Sequence, residues 1–318
     1  MAPPEILPPE ILSIDGCAIQ RAAVLIRAGQ CVAVPTETVY GLAADATSGE
    51  AVARIYAAKG RPSFNPLIVH VASVEQAAAL AHLSPAALSL ADALWPGPLT
   101  MVLPARAGSP IAALATAGLA TIAIRMPAHA AMQALIAAAD RPLAAPSANA
   151  SGRISATTAA HVAASLGGRV PLILDGSATQ HGLESTIVAV DADRLRLLRP
   201  GPIDAAILSS IAGLPLSTEA AAGIEAPGQM ASHYAPGKPL RLDVSTPQPG
   251  EWLIGFGAVA GDDTLSASGD PIEAAARLFG ALHRADAATA ARIAVAPIPM
   301  QGLGIAINDR LRRAAAPR

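Results

Sequence analysis

The chain has 318 residues, of which 52% are hydrophobic, 14% charged and only 3% aromatic, and its formal net charge is −2. That length suits two domains of ordinary size, and a core drawn from Ala, Leu, Val and Ile favours layered α/β packing over an aromatic-rich β-sandwich. The near-neutral charge gives no global attraction to nucleic acid or to an anionic membrane, while still allowing a local positive cleft.

The opening MAPPEILPPEILSID carries two Pro-Pro-Glu-Ile-Leu units and no basic stretch followed by an apolar run, unlike a secretory signal. No later stretch reaches the roughly 20 uninterrupted apolar residues that a membrane span needs. Cys17 and Cys31 make no metal-ligand spacing with the scattered histidines and suit a reduced compartment. A cytoplasmic protein without membrane contact, disulfide or structural zinc is expected.

In chain order, Ala18 to Ala28 reads as an amphipathic helix ended by Gly29, and CVAVPT as a short strand stopped at Pro35. SGEAVARIYAAKG has the shape of a helix, with Ser48 at the N-cap and Gly60 at its end. LIVHV follows as a strand, EQAAALAHLSPAALSLADALW as one or two helices broken at Pro85, and LTMVLPA and TIAIRMP as strands. A helix over AHAAMQALIAAA, the strand PLAAP, the polar turn SANASGRIS, a helix over TTAAHVAASL and the strand PLILDG continue the alternation. STIVAVD and LRLLRPG look like an antiparallel pair, and DAAILSSIAG like a short helix. This order argues an α/β fold with a twisted, mixed sheet.

Residues 1–213 form the expected first domain. Residues 214–238 keep no period and hold several Pro and Gly, as a linker long enough to cover something. Residues 239–318 resume with strands at PLRLDV, EWLIGFG and ARIAVAPIP and two helices, resembling a small Rossmann-like α/β layer. GFGAVAG is read there as a turn, and no phosphate-binding GxxxxGK[ST] occurs.

Four polar clusters sit at strand ends, where open α/β sheets bind ligands: PTETVYG (35–41), KGRPSFNPLIVH (59–70), APSANASGRIS (145–155) and ESTIVAVD (184–191). Of the 22 basic residues only Lys59 and Lys238 are lysines, so the choice of a compact ammonium beside Arg61 is pointed. Arg125 and Arg199 place two guanidiniums in otherwise apolar strands, where each needs an anion or a cleft. Plain structural readings stand beside these. Lys59 would also offset its helix dipole, His70 would serve as a satisfied core histidine, and Arg125 and Arg199 would pair with Asp45, Asp175 or Glu184.

The order PTETVYGL, KGRPSFNPLIVH, LWPGPLT, TIAIRMP, APSANASG, ESTIVAVD and LRPGPI, over residues 15 to 205, resembles the threonylcarbamoyl-AMP synthase family with its YrdC-like fold. APGQMASHYAPGKPLRL resembles the linker of the longer, two-domain members. The resemblance implies a twisted mixed sheet with helices around a deep positive cleft. It implies a reaction of L-threonine, bicarbonate or CO2, and ATP that yields threonylcarbamoyl-AMP, pyrophosphate and water. The product would pass to a separate tRNA threonylcarbamoyl-transferase complex, with weak tRNA contact compatible.

Carried over position by position, Lys59, Arg61, Ser147 and Asn149 match the family's KxR and SxN elements, where Lys59 would follow a moving phosphate oxygen and Arg61 grip one. Thr38, His70, Arg125, Ala145 and Ser185 would surround threonine. Arg61, Asn65, Thr121, Ser147, Ser155 and Arg199 would contact ATP, whose phosphates would bring Mg2+. QMAS departs from the family by placing Ala231 where a long side chain is common, so that Met230, His233 or Tyr234 would supply the lid contact. Two other readings stand beside this one. A carbamoyltransferase like the YrdC-like domain of hydrogenase maturation proteins lacks its zinc-finger cysteines here, and a double-stranded RNA-binding module lacks a basic footprint.

Overall fold

A computed structural model describes residues 8–218 and 223–317; the first Pro-Pro-Glu-Ile-Leu unit and linker positions 219–222 lie outside the described residues. Within them, one sheet of 11 strands runs in the order Glu10–Ser13, Leu172–Asp175, Val32–Val34, Gly41–Asp45, Leu143–Ala144, Ile68–His70, Thr121–Arg125, Leu99–Pro104, Thr186–Val190, Leu195–Arg199, Leu216–Ser217. Parallel and antiparallel neighbours both occur along it, the mixed sheet that the element order implied.

Local signals explain most of the helices. Gly49–Lys59 starts at Ser48, whose side chain accepts from the Ala51 N–H, and ends at Gly60 in the left-handed region. Gly16–Arg27 begins two residues earlier than its apolar pattern, because the Asp15 carboxylate caps the Ala18 N–H. Pro85 does not break a helix but opens one, at the first position of Pro85–Leu94, where its missing N–H is harmless.

Four strands were not read from the sequence: Glu10–Ser13, Gly41–Asp45, Leu216–Ser217 and Asp263–Thr264. Gly41-Leu-Ala-Ala-Asp lacks β-branched residues, and its strand conformation comes from neighbours on both sides. Leu216–Ser217 adds the beginning of the linker to the edge of the large sheet, parallel to Leu195–Arg199.

The second domain is a four-stranded parallel sheet, ordered Leu240–Arg241, Arg292–Val295, Glu251–Gly255, Asp263–Thr264, packed by the helices Pro271–Ala287 and Leu303–Ala315. GFGAVAG is a turn closed between Phe256 and Val259. The core of this domain is shared across the boundary, since Val39, Ile154, Leu183 and Tyr234 are buried in it. At Gly182 the domains approach backbone to backbone, where a Cβ would lie 2.4 Å from the Ala275 carbonyl oxygen.

Candidate active site

The strands Ile68–His70 and Thr121–Arg125 end side by side with His70 opposite Arg125 in parallel register. Both side chains therefore reach the same face at the same height. PTET supplies the next two groups. Thr36 Oγ1 donates to the Val39 carbonyl at 2.6 Å and accepts from the Thr38 and Val39 N–H groups, closing a turn that presents Glu37 and Thr38. Arg125 then donates to Glu37 Oε1 at 2.5 Å and to Thr38 Oγ1 at 2.9 Å.

Burial alone would raise the Glu37 carboxyl, but the Arg125 guanidinium outweighs it and holds Glu37 below its usual range. Its Oε2 is buried without a hydrogen-bond partner. His70 is pushed down to about 3, first by burial and then by Arg125, so it is neutral at ordinary pH.

Across the cavity, Arg61 donates to the Asn65 and Pro66 carbonyls at 3.2 and 2.9 Å. Burial pushes it down to about 10, still protonated at neutral pH. Arg199 donates twice to the Ser185 carbonyl, at 3.1 and 3.0 Å, and once to Ser185 Oγ, which also bonds Thr100 Oγ1 at 2.7 Å. These ties aim a hydroxyl and two guanidiniums at one space.

Lys59 is held by backbone carbonyls. It is only 3% exposed, and its ammonium donates to the Ser147 carbonyl and the Asn149 carbonyl. Burial, then Arg61 and Arg169, push its pKa well down. These contacts fasten the helix Gly49–Lys59 to the SAN turn. Asn149 is likewise turned inward, donating to the Ala150 and Arg153 carbonyls.

One cavity collects Thr38, Arg61, His70, Arg125, Ala145, Ser147, Ser185 and Arg199 from the residues singled out in the first domain. Lys59, Asn65, Asn149 and Ser155 stand behind that wall rather than on it. Thr121 lies apart: it faces Pro104, at the opposite end of the strand that finishes with Arg125. Pro227, His233 and Tyr234 of the linker close the remaining side, leaving a volume of about 40 Å³. Met230 reaches Asn65 Nδ2 at 3.4 Å through its sulfur, whereas Ala231 is exposed. Tyr234 holds a left-handed φ of 61°, a conformation that a bulky residue keeps only where its surroundings enforce it.

Sequence reasoning missed Glu37, which sits unremarked between two quoted threonines, and the partner of Glu184. Arg125 pairs with Glu37 rather than with any of the acids weighed for it. Glu184 accepts from Ser155 Oγ at 2.5 Å and pairs with Arg310 at 2.8 Å, a contact across 126 residues that no local signal announces.

Sheet, arginine-lined cleft and appended parallel domain together define a two-domain α/β protein of the YrdC-like class. Residues 24–201 match the sequence profile described as Telomere recombination, and residues 203–316 the one described as Threonylcarbamoyl-AMP synthase, C-terminal domain. The chain is 40% identical to the threonylcarbamoyl-AMP synthase of Pyrococcus abyssi (strain GE5 / Orsay), the alignment covering 96% of each protein. It is 39% identical to that of Bacillus subtilis (strain 168), over 96% of this chain and 95% of the relative. The solved structure of P. abyssi Sua5 complexed with L-threonine superposes with a TM-score of 0.88 at 37% identity, over 96% of this chain and 97% of that one. The chain belongs to the threonylcarbamoyl-AMP synthase family.

Proposed function

We propose that this protein is an L-threonylcarbamoyladenylate synthase of nucleotidyltransferase chemistry, using L-threonine, bicarbonate and ATP. The observation that carries this reading is the convergence of Arg61, Arg125 and Arg199 with the hydroxyls of Thr38, Ser147 and Ser185 on one cavity. In the reaction a bond forms between the threonine nitrogen and the bicarbonate carbon, with loss of water. A carbamate oxygen then attacks the α-phosphorus of ATP, and the bond to the bridging oxygen breaks to release pyrophosphate. The product goes on to the transferase that modifies the adenosine beside the tRNA anticodon.

Two anions meet and a third departs, so fixed donors must face the developing charge. Arg125 takes the threonine carboxylate, exchanging part of its contact with Glu37 and Thr38, while neutral His70 bounds the amino-acid side without adding charge. Arg61, Arg199 and Ser147 face the phosphates, Ser185 bounds the threonine beside Arg199, and Lys59 holds the SAN turn that presents Ser147. Mg2+ would be held by the ATP phosphates and would neutralise part of their charge. Glu37 and Glu184 are each bound to an arginine, and no cluster of three metal-ligating side chains occurs among the described residues. A space of about 40 Å³ holds only a few waters, so the stretch from Pro227 to Tyr234 acts as a cover that lifts to admit ATP.

The test incubates purified protein with ATP, Mg2+, bicarbonate and either L-threonine, L-serine or no amino acid. Pyrophosphate is followed and the adduct sought by rapid mass spectrometry. A threonine- and bicarbonate-dependent adduct, lost in Lys59→Ala, is expected. Pyrophosphate without that adduct would assign a different acceptor and sink the reading.

A further inference from the structure

We propose that Arg310, on the last helix of the second domain, is a positioning residue for the adenylate-forming reaction. It fixes Glu184, which lines the cavity, and through Glu184 orients Ser155 just behind the nucleotide side. This rests on the synthase reading above and assigns the second domain a share in building the site.

Arg310 is fully buried, although it belongs to a helix whose other arginines, Arg312 and Arg313, are at least partly exposed. Its Nε donates to Glu184 Oε2 at 2.8 Å, its Nη1 to Asp309 at 2.9 Å, and its guanidinium lies 5.2 Å from the centre of the Tyr234 ring. Nη2 has no hydrogen-bond partner. The other Glu184 oxygen accepts from Ser155 Oγ, and the chain then continues into Ser185, which Arg199 grips.

Ser155 is held a second time from the same domain. His283 on the helix Pro271–Ala287 meets its carbonyl oxygen at 3.1 Å. Both the side chain and the backbone of one nucleotide-side residue are thus set by groups from the second domain. The same terminal helix also holds the cover, because Arg313 donates to the Met230 carbonyl at 2.7 Å and accepts from the His233 N–H through its own carbonyl at 3.1 Å.

A buried ion pair contributes little net stability, since desolvating both charges offsets most of their attraction, and an apolar pair would serve a mere interdomain glue as well. What an apolar pair cannot do is direct the second carboxylate oxygen at a serine. Burial would raise the Glu184 carboxyl, yet Arg310 and then Arg199 keep it ionised, the form that accepts from Ser155.

The experiment measures ATP and L-threonine affinities separately by calorimetry, kcat and KM by adduct formation, and Tm, in wild type, Arg310→Met, Arg310→Lys and Glu184→Gln. Positioning predicts that Arg310→Met weakens ATP binding at least tenfold with threonine affinity changed less than threefold, and that Arg310→Lys restores only part. Glu184→Gln decides between positioning and a simple field effect. Removing a negative charge would tighten ATP if Arg310 acted only through its charge, whereas loss of the Ser155 tie weakens it. Tighter ATP binding in Glu184→Gln, or Arg310→Met with ATP affinity and kcat within twofold of wild type, would overturn the proposal. If Arg310→Met fails to fold, Arg310→Lys and Glu184→Gln still decide. Should the wild type bind ATP but make no threonine adduct, the synthase reading falls while the ATP titrations still test the positioning role.

Discussion

The two walls of the cavity are built in different ways. The Arg125 wall is a sheet: His70 and Arg125 stand in register on neighbouring strands, and a turn closed by Thr36 brings up Glu37 and Thr38. The facing wall is assembled from separate pieces. Lys59 fastens the SAN turn, the linker lays Tyr234 into the cleft, and Arg310 reaches Glu184 from another domain. Backbone ladders fix the first wall, so it should stay ready for an amino acid. The second depends on domain docking, so the nucleotide side should be the one that responds to changes far from it.

The largest effect should come from breaking the rigid wall. Arg125→Ala leaves Glu37 buried and uncompensated, which costs about 3–5 kcal/mol of stability, and removes charge-assisted bonds to the threonine carboxylate, lowering its affinity about 100-fold or more. Calorimetry with L-threonine and thermal unfolding check both. Combining Arg125→Met with Glu37→Gln should recover much of the stability and none of the binding, and recovery of both would show that the wall is not specific.

Next in size is Lys59→Met, which takes the ammonium from the Asn149 carbonyl, at about 1–3 kcal/mol, while the Ser147 carbonyl keeps the Asn149 N–H as a donor. Adduct formation should collapse while threonine affinity stays within threefold. Equal loss of both would erase the distinction between the walls.

A smaller effect is expected at the cover. Gly228 has φ 86°, and a Cβ there would lie 2.9 Å from Arg199 Cδ and from the Tyr234 hydroxyl. Gly228→Ala should therefore unseat the cover and speed amide exchange over residues 227–235 roughly tenfold, given about 1–2 kcal/mol of left-handed strain, leaving threonine binding nearly unchanged. Wild-type exchange in the variant would mean the cover is not held by this close fit.

The smallest effect concerns the seam between domains, where the rings of His161 and His283 stack 3.8 Å apart. His161 is pushed down to about 4 by burial, then by His283 and Arg284, and burial lowers His283 too. Both stay neutral in the folded protein, while the unfolded chain takes up protons near pH 6.5. Stability present above that pH is therefore lost as pH falls from about 6.5 towards 4. Buried His70 and His233, each pushed down to about 3, steepen the same loss. His161→Phe keeps a ring in the stack and should reduce, not abolish, the fall in urea midpoint between pH 7 and pH 5. An unchanged slope would remove the seam from the acid response.

How much was legible depended on how local each cause was. The helix Gly49–Lys59 could be read to its ends because Ser48 and Gly60 act within a few residues. Arg125 and Arg199 announced a cleft by being charged inside apolar strands. The strand Gly41–Asp45 escaped because its conformation is set by Val32–Val34 and Leu143–Ala144 rather than by its own residues. Lys59 was singled out correctly as unusual, yet whether its ammonium faced a ligand or two carbonyls could not be read from its neighbours. Thr121 was grouped with the nucleotide contacts, and strand length alone carries it to the far end from Arg125.

By itself the sequence determined the alternation of strands and helices, the family, and the inventory of cations and hydroxyls at strand ends, because periodicity, caps and motif order are properties of short stretches. Only the tertiary structure decided that Glu37 neutralises Arg125, that Lys59 fastens a turn, and that Arg310 of the second domain pairs with Glu184 of the first. Those outcomes turn on desolvation and partner geometry, which exist only once distant segments have buried one another.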